Sequence, residues 1–223
     1  MSLASLICNM RNKTQSISDK IFGEFDRFLK IVAHKPAAPH TPTPKSEAID
    51  VELSDYDKRN IQGLMRINHT GEVCAQALYY GQAMFAKDGS THAHLIQAAA
   101  EEHDHLYWCQ ERLDDLGARV SILNPFWYIS SFALGATAAF FGDKISYGFV
   151  IEVENQVEDH LQEHIEQIPQ EDIKTHAILK QMQLDEIRHA NDARDAGGVD
   201  LPIPVKKIMA AMSKFMKFLV YRI

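Results

Sequence analysis

From residue 54 onward the chain alternates long stretches, in which apolar residues recur every three or four positions, with short breaks rich in Gly, Pro and Asp. That period is the mark of helices with one face turned to a core. Four long helices are expected. The first covers 55–86, with Ser54 as N-cap, and the second 91–116, closed by Gly117. The third covers 143–168 and stops at Pro169, and the fourth covers 171–196 and ends at Gly197 and Gly198. Lys87-Asp88-Gly89-Ser90 is a tight turn, so the first two helices form one antiparallel hairpin and the last two another. A crossover of roughly twenty-five residues joins the hairpins, as in one class of four-helix bundle. The fold class is all-α.

Flanking segments follow other patterns. Ile17, Ile21, Phe22, Phe25, Phe28, Leu29 and Val32 make 15–33 a short amphipathic helix, suited either to docking on the domain or to lying on a membrane. Four of the eight prolines fall in 34–48, so 34–53 reads as an extended linker between an N-terminal segment (1–33) and the helical domain (54–223). From Val120 to Gly142 there is no charged residue. By length that crossover could span a bilayer. A single crossing would, however, put the two hairpins on opposite sides, and Asn124, Pro125, Ser130, Ser131 and Gly135 weaken it as a spanning helix. It is better read as an apolar segment packed on the bundle or dipping into one leaflet. The last stretch, 205–223, is a second amphipathic helix, with Val205, Ile208, Met209, Met212, Phe215, Met216, Leu219 and Val220 at helical spacing and lysines mostly between them. It suits an anionic membrane surface or a place on the bundle with a solvated lysine face.

Charge and cysteines narrow the class. The 223 residues carry a formal charge of -7, against a general nucleic-acid binder, yet from Pro204 to Ile223 there are five basic residues and no acidic one. With 46% hydrophobic residues the chain has ample material for a core. Cys8, Cys74 and Cys109 form no spacing motif and are odd in number, which argues for a reducing compartment without a disulfide framework. The opening MSLASLICNMRNK has no apolar signal core after a basic start.

Two matched sets carry the candidate chemistry. In each, a Glu is followed one helix later by Glu-x-x-His: Glu72 with Glu102 and His105, then a Glu of the third helix with Glu186 and His189. A Glu and a His three apart share a helix face. A lone Glu-x-x-His is a weak signal, but its repetition at near-equal spacing in two similar halves is not. If these faces point inward, four buried carboxylates need counter-charge, and two divalent ions would supply it. Carboxylate–imidazole sets suit iron or manganese. The alternative, pairs of surface charges, asks for no such balance. Spacing leaves Glu152, Glu154 and Glu158 all open for the third helix, where His160 and His164 also lie. Asp185 and Arg188, beside the second Glu-x-x-His, are candidates to hold ligands by hydrogen bonds, as are His69, one turn before Glu72, and His160. Glu101 and Asp104 occupy the equivalent positions in the first half. Cys109, four after His105, is expected to be a small buried hydrophobe.

Five segments together are far more specific: INHTGEVCAQALYYGQA (67–83), EEHDHLYWCQERLDDLG (101–117), NPFWYISSFALGA (124–136), VENQVEDHLQEHIEQIP (153–169) and DEIRHANDARDAGG (185–198). Over 54–223 the chain resembles the demethoxyubiquinone hydroxylases of ubiquinone biosynthesis in their bacterial form. Asn68, Thr70 and Val73 stand where some members carry Asp, Ala and Tyr. The resemblance implies a ferritin-like bundle with a di-iron centre held by Glu72, Glu102, His105, Glu154, Glu186 and His189, choosing Glu154 over its neighbours. By analogy Glu102 and Glu186 would bridge the metals, with Glu72 and Glu154 terminal. It further implies a monooxygenase that hydroxylates the ring of a demethoxy polyprenyl benzoquinol with O2, drawing electrons from NADH or from the quinol. No Gly-x-Gly-x-x-Gly segment is present, so a nicotinamide would need another binding mode. The implied place is the cytoplasmic face of the bacterial inner membrane, held peripherally, with a homo-oligomer and contacts to other ubiquinone-biosynthesis proteins as further expectations. Two rival classes use the same pattern differently: a ferritin-like iron-handling or peroxide-scavenging bundle, and a non-enzymatic helical membrane adaptor.

Overall fold

The computed structural model describes the backbone of residues 17–223 and the side chains from Phe22 onward. Cys8, the opening segment and the first residues of the expected 15–33 helix lie outside the described residues.

Seven helices and no strand occur among the described residues: α1 (Ile17–Ala33), α2 (Asp55–Phe85), α3 (Gly89–Asp115), α4 (Asn124–Phe140), α5 (Asp143–Gln167), α6 (Ile173–Asp195) and α7 (Ile203–Val220). Helices α2, α3, α5 and α6 form the bundle, and each expected boundary lies within about two residues of the observed one. The local chemistry explains the ends. The Ser54 hydroxyl caps α2 by accepting from the Asp57 N–H, and the Asp172 carboxylate caps α6 by accepting from the Thr175 N–H. Gly117 ends α3 at φ +68°, where a side chain would be strained. Its N–H reaches the Asp114 carbonyl and that of Ala118 reaches Leu113, the paired bonds of a Schellman closure.

The uncharged crossover is helical along 124–140 and lies flat on α2, carrying the chain from one end of the bundle to the other. Two glycines permit the approach. A Cβ on Gly81 would stand 2.2 Å from the Phe132 carbonyl oxygen, and one on Gly135 would stand 2.1 Å from that of Leu78. Of the expected readings, packing on the bundle is the observed one, and no described helix is long and apolar enough to cross a membrane.

Helix α7 packs against α2 and α5 through Met209, Met216 and Val220. Lys206 reaches Glu152 at 3.2 Å. Its other face leaves Ile208, Met212, Phe215 and Phe218 exposed. The Pro-rich stretch lies along α3. Asp104 accepts from the backbone N–H groups of His40 and Thr41, both at 2.8 Å, and the Trp108 indole donates to the Thr41 carbonyl at 3.0 Å.

The core is split. One apolar cluster, with Ile61, Met65, Trp108, Leu113, Leu161 and Leu179, fills one end of the bundle. A second, with Tyr79, Leu95, Ala99, Val150 and Ile151, fills the other. Between these clusters each of the four helices buries one or two of the acidic and histidine residues that the sequence singles out.

Candidate metal centre

Each bundle helix contributes from its middle. Glu72 comes from α2, Glu102 and His105 from α3, Glu154 from α5, and Glu186 and His189 from α6. All six are between 0 and 4% exposed. Their donor atoms fall into two groups, Glu72–Glu102–His105–Glu186 and Glu102–Glu154–Glu186–His189, with all atoms of a group within 4.8 Å of one another. Glu102 and Glu186 belong to both. The structure thus brings together the six residues of the two matched sets, with Glu154 as the helix α5 member. Glu152, by contrast, pairs with Lys206 and accepts from the Gln156 amide, away from the cluster.

The arrangement is a poor hydrogen-bond network and a good ligand set. His189 Nδ1 stands 3.0 Å from Glu102 Oε1, yet neither atom has a hydrogen-bond partner. Both Glu154 oxygens and Glu186 Oε2 are likewise buried without one. Orphaned buried acceptors are rare and costly. Atoms that converge without donating to one another are what a shared cation would satisfy, and the buried Glu/His cluster could therefore hold metal.

The electrostatics point the same way. Burial pushes the Glu72 and Glu154 carboxyls well above the usual carboxylate range, and the neighbouring Glu186 adds to the effect on both, with Glu102 adding to it on Glu72. Burial also opposes charge on Glu102, but His105 and His189 outweigh it and hold that carboxyl well below its ordinary value. Glu186 is lowered by the same two imidazoles against its own burial and the Glu102 charge. Burial would lower His189, yet the Glu102 and Glu186 carboxylates beside it favour the charged ring and raise it to about 12, and His105 is raised for like reasons. Four carboxylates in a dry layer cannot all be ionised on the strength of two imidazoles. Two divalent ions carry the charge that all four would need.

The surrounding residues sort clearly. Asp185 Oδ2 lies 3.2 Å from His105 Nε2, and Glu101 Oε2 lies 2.9 Å from His189 Nε2. Arg188 donates to Glu101 at 3.0 Å and to Asp185 at 3.4 Å, tying the two acids together. Sequence position marked Glu101 and Asp185 as equivalent but gave no sign that each serves the imidazole of the other hairpin. Asp104, equivalent to Arg188, holds the 34–48 arm instead. His69 lies 3.4 Å from the Asn124 amide, and burial lowers it to about 4. His160 bonds the Gln156 carbonyl. Neither histidine hydrogen-bonds any of the six. Cys109 is fully buried against Met182, with its thiol pushed well up by burial, as befits a small hydrophobe.

An apolar pocket of about 150 Å³ runs beside the cluster between α2, α4, α5 and α7. Its walls include Gly71 and Val153, the residues immediately before Glu72 and Glu154, with Leu78, Trp127, Leu134 and Met212 farther along. Periodicity could not reveal this space, because it arises from the way α4 and α7 lean on the bundle.

Residues 59–219 match the family model described as ubiquinone biosynthesis protein COQ7. The chain is 50% identical over 207 residues to a 3-demethoxyubiquinol 3-hydroxylase of Francisella philomiragia subsp. philomiragia, covering 93% of this chain and 98% of the relative. It is 49% identical over 216 residues to one of Ralstonia pickettii, covering 92% and 99%. It is 50% identical over 205 residues to one of Xanthomonas euvesicatoria pv. vesicatoria, covering 92% and 94%. With the match running through all four bundle helices and every member of the buried cluster, the chain belongs to the ubiquinone biosynthesis protein COQ7 family.

Proposed function

We propose that this chain is a di-iron monooxygenase that hydroxylates the ring of a demethoxy polyprenyl benzoquinol with O2, the reaction named for its relatives. The observation that carries the reading is the pair of four-residue groups sharing two buried glutamates beside an apolar pocket. Glu72 and His105 would hold one iron, Glu154 and His189 the other, and Glu102 and Glu186 would span both. Zinc sites more often carry fewer carboxylates or some thiolates. When bound, the irons supply the activation of O2 and the delivery of one oxygen atom to the ring.

The chain's own residues do the rest. Asp185 and Glu101 fix the His105 and His189 rings so that Nδ1 of each faces the centre. The two apolar core clusters keep water from the polar layer, which strengthens every charge interaction within it. The pocket, walled by Gly71 and Val153 beside Glu72 and Glu154, would hold the aromatic ring next to the cluster. At its outer end, Phe126 and Ile129 of α4 and Ile208, Met212 and Phe215 of α7 are exposed, with Lys207 and Lys214 on the same helix as the latter. Such a surface suits peripheral binding to an anionic bilayer, where the prenyl tail resides, and supports a place on the cytoplasmic face of the bacterial inner membrane. Electrons would come from NADH or from the quinol itself.

The test is deletion of the gene in its host, followed by extraction of the quinones. The demethoxy precursor should accumulate, the wild-type gene should clear it, and a His189→Ala copy should not. Purified protein should hold two irons per chain. Accumulation of a different precursor would sink the substrate assignment, and iron storage without quinol turnover would favour the iron-handling class instead.

A further inference from the structure

The apolar pocket is lined by few polar groups, and most of them are already engaged. Ser130 donates to the Phe126 carbonyl at 2.9 Å, and the Gln156 amide donates to Glu152 at 2.8 Å. The Ser131 hydroxyl is turned to the Cys74 sulfur. Ser213 can rotate to donate or accept, so it favours no particular ligand. His160 is different. Its Nδ1 lies 3.0 Å from the Gln156 carbonyl oxygen. A carbonyl only accepts, so Nδ1 must carry the hydrogen, and in the neutral ring Nε2 is then a bare acceptor. Burial is the main reason that the ring holds its proton poorly, with a pKa of about 4, and Lys217 adds to the effect. The ring is therefore neutral near pH 7. His160 is 5% exposed, and the space it faces is the pocket.

We propose that Nε2 of His160 accepts a hydrogen bond from a ring hydroxyl of the bound quinol and makes the pocket select the reduced ring over the quinone. This rests on the reading of the pocket as the site of a benzoquinol. A quinol hydroxyl can donate to the bare nitrogen. A quinone oxygen can only accept, so the quinone would leave two lone pairs facing each other in an apolar space. The tautomer cannot reverse to suit it, because a hydrogen on Nε2 would bring the Nδ1 lone pair against the Gln156 carbonyl. His160 thus acts as a redox-state filter beside the cluster, without touching it by hydrogen bond.

The experiment is calorimetric titration of the full-length protein under anaerobic conditions, so that no turnover occurs. Three short-chain ligands are compared: a demethoxy benzoquinol, the matching benzoquinone, and the quinol's dimethyl ether, which has no donor. The wild type should bind the quinol at least roughly 10-fold tighter than either of the others. His160→Phe should bring the three affinities together, with unchanged iron content and helical circular dichroism. His160→Gln, which offers both an acceptor and a donor, should restore quinone binding to the level of the quinol and serves where the Phe variant folds poorly. Equal binding of quinol and quinone by the wild type would overturn the filter while leaving the pocket as the quinol site. Full discrimination in His160→Phe would overturn it as well. Failure of the wild type to bind any of the three would bring down both the filter and the quinol reading.

Discussion

His189 on α6 is held at 2.9 Å by Glu101, an acid carried by α3 in the other hairpin, and His105 on α3 is held at 3.2 Å by Asp185 of α6. The exchange is reciprocal. Each acid sits one residue before the Glu of its own Glu-x-x-His and serves the histidine of the opposite one. A bound imidazole is commonly oriented by a carboxylate on its second nitrogen, and loss of such a partner typically costs about 10–100-fold in metal affinity. Glu101→Ala should therefore weaken retention of one iron by roughly that factor. Competition with a chelator measures it, and unchanged helical circular dichroism shows that the bundle survives.

The buried carboxylates give a second prediction, of opposite sign in the two states of the protein. Glu154 has both oxygens buried without a hydrogen-bond partner, and burial pushes its carboxyl well up. In metal-free protein Glu154→Gln should be neutral or stabilising, since it replaces a poorly solvated acid by a neutral isostere. Iron at 100 times its dissociation constant should stabilise the wild type by about 2.7 kcal/mol, a rise in Tm of roughly 5–10 °C for a chain of this size. The variant should show much less of that rise. A wild-type Tm indifferent to iron would remove the ground for the metal reading.

Much of this was legible in the sequence, for identifiable reasons. Ser54, Gly117 and Gly197 mark helix ends through chemistry that is local to the chain, so the boundaries could be read directly. Five members of the cluster were legible because a Glu-x-x-His preceded by a Glu one helix earlier occurs once in each hairpin. Choosing Glu154 over Glu152 and Glu158 was not possible from spacing, since Glu154 and Glu158 are one turn apart on the same face. The cross-pairing of Glu101 and Asp185 depends on how the two hairpins are set against each other, which no local pattern encodes. The same holds for the buried Arg112, which donates to Asp172 at 3.0 Å and to the Thr175 hydroxyl at 2.8 Å across the bundle.

That Arg112–Asp172 pair predicts a structural effect remote from the centre. Both side chains are about 2% exposed, and Asp172 also caps α6. Asp50, 2.5 Å from Arg112, still faces the guanidinium when Asp172 is removed, so the cost is that of the lost charge-assisted hydrogen bonds and of the α6 cap, about 2–4 kcal/mol. Asp172→Ala should lose about that much in urea unfolding, while its iron-binding stoichiometry at low temperature stays unchanged.

The close approach of α4 to α2 can be tested at Gly81. A Cβ there would meet the Phe132 carbonyl oxygen at 2.2 Å, and that oxygen belongs to a helix backbone, so only a shift of the whole helix relieves the clash. Gly81→Ala should force α4 outward, lowering stability by about 1–3 kcal/mol. Because Leu78, Trp127 and Leu134 line the pocket from these two helices, the same change should weaken binding of a short-chain quinol. Iron content should be unaffected, since no member of the cluster lies on α4.

The last prediction concerns acid. His164 is 4% exposed, its Nδ1 donates to Asn68 Oδ1 at 2.8 Å, and its ring lies 5.1 Å from that of His160. Burial, His160 and Lys217 together lower its pKa from 6.5 to about 2. Above pH 6.5 the imidazole is neutral in both folded and unfolded chains, so it contributes no pH dependence. Below pH 6.5 the unfolded chain takes up a proton that the folded chain refuses. The unfolded state then binds more protons, and stability must fall as pH falls. By pH 5 the loss from this one group is about 2 kcal/mol, on the scale of 1.36 kcal/mol per unit. His160 and His69, each lowered to about 4, act in the same direction. Subtracting a variant's curve from that of the wild type isolates His164. His164→Gln can keep a donor for Asn68 and has nothing to titrate in this range. Its unfolding free energy should therefore fall by about 2 kcal/mol less between pH 7 and pH 5 than that of the wild type, as urea titrations at the two pH values would measure. Parallel curves for the two proteins would mean that His164 is accessible to protons in the folded state.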